Sequence, residues 1–115
     1  MGTRWIDHQG QKIFVGEFTG MPEDQYIAAI GRCKDEILAA SHPKGSLLFL
    51  TYCDAQTTEK VTAKWREFRD ATSEVLRGSA IIGLTGFKRV MARLVSRELY
   101  FAKDETDAMD WLIKQ

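Results

Sequence analysis

One run in this chain leaves little choice of fold. Ser46-Leu47-Leu48-Phe49-Leu50-Thr51-Tyr52-Cys53 is apolar nearly throughout and does not alternate. A strand with one wet face alternates apolar and polar residues. A short continuous apolar run fits a strand covered on both faces, as in parallel sheets packed under helices. The flanks supply such helices. Before the run, Tyr26, Ile27, Ile30, Cys33, Ile37 and Leu38 recur at three- and four-residue steps and stop near Ser41-His42-Pro43. After it, a helix is predicted from about Thr58 to Arg77, with Val61, Trp65, Phe68, Thr72, Val75 and Leu76 on one face and Gly78 ending it. The run is therefore expected to be the central strand of an α/β sheet, joined to its neighbours by right-handed helical crossovers.

The remaining segments extend this pattern. Trp5-Ile6-Asp7-His8 and Gln11-Lys12-Ile13-Phe14-Val15-Gly16-Glu17-Phe18 flank Gln9-Gly10 and read as a β-hairpin. Pro22 with Glu23 and Asp24 suits a helix start, where a missing N–H costs nothing and acids meet the positive end of the helix dipole. Ser79-Ala80-Ile81-Ile82-Gly83-Leu84 reads as a second short buried strand. A helix from about Gly86 to Ser96 follows, with Phe87, Val90, Met91, Leu94 and Val95 on its core face. Glu98-Leu99-Tyr100-Phe101-Ala102 makes the last strand, and Asp104 caps a terminal helix with Ala108, Trp111 and Leu112 inward. The expectation is an α/β fold: a mixed, mostly parallel sheet with an N-terminal β-hairpin and packed helices, in the order β-β-α-β-α-β-α-β-α. With 115 residues and no linker-like stretch or repeat, residues 1–115 are read as a single domain.

Composition narrows the function classes. Sixteen basic against 16 acidic residues remove the global positive field on which nucleic-acid binders rely. No apolar run approaches the roughly 20 residues of a membrane span. The opening Met1-Gly2-Thr3-Arg4-Trp5 lacks the apolar core of a leader, and two Cys make no disulfide framework, so a cytoplasmic location is expected. Charge is nonetheless uneven, since residues 60–103 hold ten basic and four acidic side chains.

The wording of the segments resembles a known family. Gly45-Ser46-Leu47-Leu48-Phe49-Leu50-Thr51, Phe68, the stretch Ser79-Ala80-Ile81-Ile82-Gly83-Leu84-Thr85-Gly86-Phe87-Lys88-Arg89-Val90, then Phe101-Ala102-Lys103-Asp104-Glu105 and Ala108-Met109-Asp110-Trp111-Leu112 are similar to the SpoIIAA-like family of small bacterial STAS-type domains. The resemblance covers nearly the whole chain. It is most specific at Ala80-Ile81-Ile82-Gly83-Leu84-Thr85-Gly86 and at Ala108-x-x-Trp111-Leu112. It implies a STAS-like fold and a non-enzymatic, regulatory, protein-binding role. STAS-type anti-sigma-factor antagonists dock onto a kinase-like partner and are switched by phosphorylation at a Ser or Thr where the second helix starts. Similar sheets with lipid-carrying pockets occur in CRAL-TRIO-type transfer domains, which implies, as the alternative, a carrier of a small apolar or anionic ligand. Where the antagonists carry an Asp-Ser-Ser/Thr-Gly-like stretch, this chain has Asp54-Ala55-Gln56-Thr57-Thr58-Glu59, without that Gly or Ser.

Candidate residues follow. Thr57 and Thr58 are phosphoacceptor candidates, and either is equally a plain helix N-cap. Gly83-Leu84-Thr85-Gly86-Phe87-Lys88-Arg89 joins a buried strand to a helix start. There Thr85, Gly86, Lys88 and Arg89 are ligand-binding candidates for an anion, while the two glycines also suit tight helix–sheet packing. Neither a Walker loop nor a dinucleotide fingerprint is present. Arg89, Arg93 and Arg97 fall at four-residue steps and form a basic ridge, read as solvated surface or as the contact for an acidic protein partner or an anionic lipid headgroup. Nucleic acid is not expected, because the aromatic residues sit at core spacing. Cys33 reads as a small core residue, and Cys53, ending the central strand ahead of a helix, as the candidate for a reactive thiol. His8 and His42 have no partner at metal-ligand spacing and are expected at the surface. No catalytic constellation, metal or cofactor is expected. Trp65, Phe68, Phe87, Met91, Tyr100 and Trp111 either fill a core or line a pocket. A homodimer is kept open.

Overall fold

A computed structural model describes residues 2–40, 42–53, 58–83 and 99–115. Their elements are β1 (Gly2–His8), β2 (Gln11–Phe18), α1 (Glu23–Ala39), β3 (Leu47–Cys53), α2 (Glu59–Thr72), β4 (Leu76–Ile82), β5 (Leu99–Ala102) and α3 (Glu105–Leu112). The helix expected over 86–96 lies outside the described residues. The strands form one mixed sheet in sequential order β1-β2-β3-β4-β5. β1 runs antiparallel to β2, and β2, β3, β4 and β5 are parallel. The α/β architecture with a hairpin leading a mostly parallel sheet is as expected, and β3 is its middle strand.

Side-chain alternation explains why β3 does not alternate in polarity. Phe14, Phe18, Leu47, Phe49, Cys53, Ile81 and Phe101 point to one layer, where α1 and α2 lay down Tyr26, Ile30, Cys33, Ile37, Val61 and Phe68. Ile13, Val15, Leu48, Leu50, Ala80 and Ala102 point to the other, against Ala108 and Leu112 of α3. Both faces are dry at β3, so every position from Leu47 to Leu50 is buried and apolar. α1 and α2 share a face because two right-handed crossovers stepping the same way across a sheet keep their helices on one side. Glu67 ties them together, with its Oε2 at 2.6 Å from Lys64 Nζ and 3.4 Å from Lys34 Nζ.

The rings between helices and sheet fill their layer. Phe49 lies 6.0 Å from Phe14 and 5.4 Å from Phe68, centroid to centroid, and Trp65 lies 5.4 Å from Phe68 and 5.3 Å from Phe18. On the opposite face Tyr100 stacks on Trp111 at 4.7 Å with planes 4° apart. Of the six bulky residues weighed as core or pocket lining, Trp65, Phe68, Tyr100 and Trp111 thus spend their rings on one another and on neighbouring aromatics. Phe87 and Met91 lie outside the described residues.

Local chemistry sets the ends of the elements. His8 pairs with Gln11, leaving Gln9 (φ 50°) and Gly10 (φ 81°) as a two-residue turn with both φ positive, the twist that a right-handed hairpin needs. Asp104 caps α3 by accepting from the Asp107 N–H at 2.8 Å. α2 stops earlier than the periodicity predicts, at Thr72 and not Arg77, and Leu76, Arg77 and Gly78 belong to β4, which ends at Ile82. The reason is non-local. The Glu74 carbonyl accepts from the Gly45 N–H, and the Val75 carbonyl accepts from the N–H groups of both Ser46 and Leu47. These bonds pull the chain into the sheet one turn before the apolar repeat runs out. Gly83 then ends β4 with φ 109°, and a β-carbon there would run into the Cys53 carbonyl.

Candidate functional site

Of the two phosphoacceptor candidates, Thr58 is described, and it is the N-cap of α2: its Oγ1 accepts from the Val61 N–H at 3.2 Å. Thr58→Ala is expected to cost about 1 kcal/mol, read by urea unfolding, and Thr58→Asp to retain most of that because a carboxylate caps equally well. Thr57, the ligand candidates Thr85, Gly86, Lys88 and Arg89, and the ridge Arg89, Arg93 and Arg97 lie outside the described residues. One premise of the anion reading does meet a fact of the sheet. The crevice that open α/β sheets offer to ligands forms where strand order reverses. From β2 to β5 the order only advances.

Both thiols are walled in. Cys33 is buried among the α1 core residues, and that burial, with a smaller push from Glu36, raises its thiol to about 12. Cys53, on the last residue of β3, is only 3% exposed. Neither thiol of the folded chain is therefore expected to react with a bulky disulfide reagent on the timescale on which both react in denaturant; fast labelling of Cys53 in the native protein would contradict its burial.

A polar constellation that the linear pattern does not show lies on the α3 face, at the end of the sheet where β2 and β3 finish. The Tyr52 hydroxyl donates to Glu105 Oε1 at 2.6 Å. Arg4 donates to Glu17 Oε2 at 3.0 Å and holds its guanidinium 5.7 Å above the Tyr52 ring. Four elements contribute one side chain each: β1, β2, β3 and α3. Arg4 sits opposite Val15, and Glu17 is the next residue of β2 on that same face. Tyr52 is the one member visible in sequence, as the polar-tipped interruption at the end of the apolar run. Partial burial, then the bond to Glu105, raises the Tyr52 phenol above its ordinary 10.

That shift has a stability consequence. Above pH 10 an unfolded chain gives up the Tyr52 proton while the folded chain keeps it, so the contribution is complete below 10 and declines as pH climbs further. In unfolding experiments the stability of the natural chain minus that of Tyr52→Phe is expected to fall with rising pH above 10. A pH-independent difference would show that Tyr52 titrates freely.

The same face carries further couplings to α3 and its C-terminal end. Asp107 accepts from the Lys103 N–H at 3.1 Å and from the Tyr100 hydroxyl at 2.9 Å. The Lys103 bond is the main reason its carboxyl lies below the ordinary range, and the bond to Asp107 is the main reason the Tyr100 phenol lies above its own. His8, expected at the surface, is half-buried and closes β1 against α3, its Nε2 3.0 Å from Asp110 Oδ1, and Gln11 Nε2 donates to the Ile113 carbonyl at 3.1 Å. Fold-level contacts between residues about a hundred positions apart leave no local signature, which is why spacing rules pass over them. His42 lies beside Trp5, ring centroids 5.8 Å apart.

Among the described residues no group of three or more His, Cys, Asp or Glu is placed to hold a metal ion, and no helix is long and apolar enough to cross a membrane. Comparison with protein-family models, with curated proteins and with solved structures finds no match for this chain.

Proposed function

We propose that this chain is a non-enzymatic, cytoplasmic binding domain of the SpoIIAA-like STAS type, and that it works by docking a protein partner on the surface around Arg4, Glu17, Tyr52 and Glu105. What supports the kinship is the order of elements, a hairpin followed by a sequentially advancing parallel sheet, together with the segment wording quoted above. The observation that carries the docking reading is the Tyr52–Glu105 bond with Arg4 held over the same ring. Tyr and Arg are the side chains that most often dominate protein interfaces, and a pair already fixed in place avoids most of the ordering cost of association. The surface lies at the same end of the sheet as the start of α2. A phosphate on Thr58 would place a dianion at the positive end of α2, on the other face of the sheet from that surface, and would take the oxygen that now caps the helix.

The test is affinity capture from bacterial lysate at low and moderate salt, with the natural chain and an Arg4→Ala, Tyr52→Ala double variant shown to fold by its circular dichroism. A protein retained by the natural chain and lost from the variant is the expected result. Identical retention by both, or a stoichiometric small molecule extracted from the purified chain in place of any protein, overturns the reading.

A further inference from the structure

We propose that β1 is a self-association edge, on which a second copy of this chain pairs antiparallel about Trp5 to make one continuous ten-stranded sheet. β1 is the outer strand and pairs only with β2 among the described residues. Its hydrogen-bonding phase follows from the turn. In a two-residue hairpin the residue before the turn accepts from the residue after it, so the main-chain groups of His8 point at Gln11. Direction alternates along an antiparallel strand, so Gly2, Arg4, Ile6 and His8 bond inward, while the N–H and C=O of Thr3, Trp5 and Asp7 point away from the sheet.

Of the devices that keep outer strands apart, this edge has only two charged side chains, Arg4 and Asp7, of opposite sign. β1 has no Pro and no Lys, its register with β2 runs unbroken over all seven residues, and its central side chain, Trp5, is 49% exposed. The pattern is also self-complementary. A two-fold axis perpendicular to the sheet preserves each face, so opposed residues must lie on the same face. Centring the axis on Trp5 sets Trp5 against Trp5, Thr3 against Asp7 and Arg4 against Ile6. All seven residues are then used, and every outward donor meets an outward acceptor. A strand from an unrelated protein has no such reason to match in length and phase, which is why a second copy is the occupant. The two Trp5 rings, each now resting on Phe14 at 4.9 Å, would cover one another at the axis.

The affinity is bounded by size and charge. The edge is about 23 Å long, a narrow strip compared with the roughly 800 Å² per partner of a tight complex, so the dimer belongs to the weak class. Asp7 also approaches the Glu36 that accepts the Thr3 hydroxyl at 2.6 Å, a like-charge contact across the axis. The inference uses the outward backbone of β1 and not the side-chain surface on the α3 face, so either proposal can fail without the other.

Sedimentation equilibrium of the full chain is expected to give an average mass rising from 13.1 kDa towards twice that value over tens of micromolar to about 1 mM. Trp5→Lys places two ammonium groups at the axis. Thr3→Pro removes an outward N–H at each end without touching a bond to β2. Each is expected to stay monomeric with the natural circular dichroism. In the proposed register two residues 5 face each other with Cα atoms about 5.5 Å apart, within disulfide reach. Trp5→Cys should therefore cross-link to itself under mild oxidation, and Asp7→Cys, which faces Thr3, should not. A chain monomeric at 1 mM overturns the inference and leaves the edge to a strand from another protein. A dimer unaffected by both substitutions, or self-linked through Asp7→Cys and not Trp5→Cys, overturns it equally.

Discussion

Gly83→Ala is expected to destabilise the fold by about 3–5 kcal/mol, the range in which backbone strain and a hard steric overlap act together. Two effects coincide at this position. With φ at 109° any side chain is strained, and the new methyl would be driven into the Cys53 carbonyl, which belongs to the backbone of β3 and cannot swing aside. The crowding arises because β3 and β4 both end here, Tyr52 opposite Ile82, which sets Gly83 beside Cys53. Gly10→Ala supplies the control. Gly10 also has a positive φ, 81°, but nothing lies within contact of its missing β-carbon. Its substitution is expected to cost only about 1 kcal/mol, the conformational part alone. Urea unfolding of both variants isolates the steric component, and equal losses would show that the approach of Gly83 to Cys53 is not as close as described.

Phe49→Ala is expected to cost about 3–5 kcal/mol, the upper range for emptying a core aromatic site. Phe49 is 1% exposed at the middle of the middle strand, and its ring is the centre of the row Phe14–Phe49–Phe68, which joins β2 to α2 through β3. The site cannot collapse easily, since its walls are one strand on either side and a helix above. Phe49→Leu, which keeps most of the volume, should lose appreciably less, about 1–2 kcal/mol. Unfolding midpoints, with the denaturant slope unchanged, are the measure. A loss below about 1 kcal/mol for the alanine variant would mean that the aromatic layer repacks around the gap and is not a fixed support for α1 and α2.

Much of this architecture is legible in the residues one after another. The unalternating Leu47–Leu50 told of two covered faces, the three- and four-residue spacing of Tyr26, Ile30, Cys33 and Ile37 of a helix over one of them, and Gln9-Gly10 of a tight hairpin turn. Asp104 announces itself as a cap, and the pair Thr57-Thr58 announces one without saying which of the two it is. The errors fall where a distant segment competes with local preference. Val75 and Leu76 continue the apolar repeat of α2 faithfully, yet Gly45, Ser46 and Leu47 claim the carbonyls of Glu74 and Val75, and the strand begins there. The candidate site shows the same limit more strongly. Nothing in the spacing of Arg4, Glu17, Tyr52 and Glu105 connects them, because they come from four elements and meet only when α3 is laid across the sheet.

Among the described residues the sequence by itself determined which segments are strands and which are helices, up to their ends, and that the middle strand is buried on both faces, because those properties are written in the polarity period of contiguous residues. Only the tertiary structure decided which polar side chains share a surface, which glycine touches a neighbouring backbone and which strand is left at the margin. These are distances between residues far apart in the chain, and a local period carries no information about them until the backbone hydrogen bonds of the sheet have fixed its register.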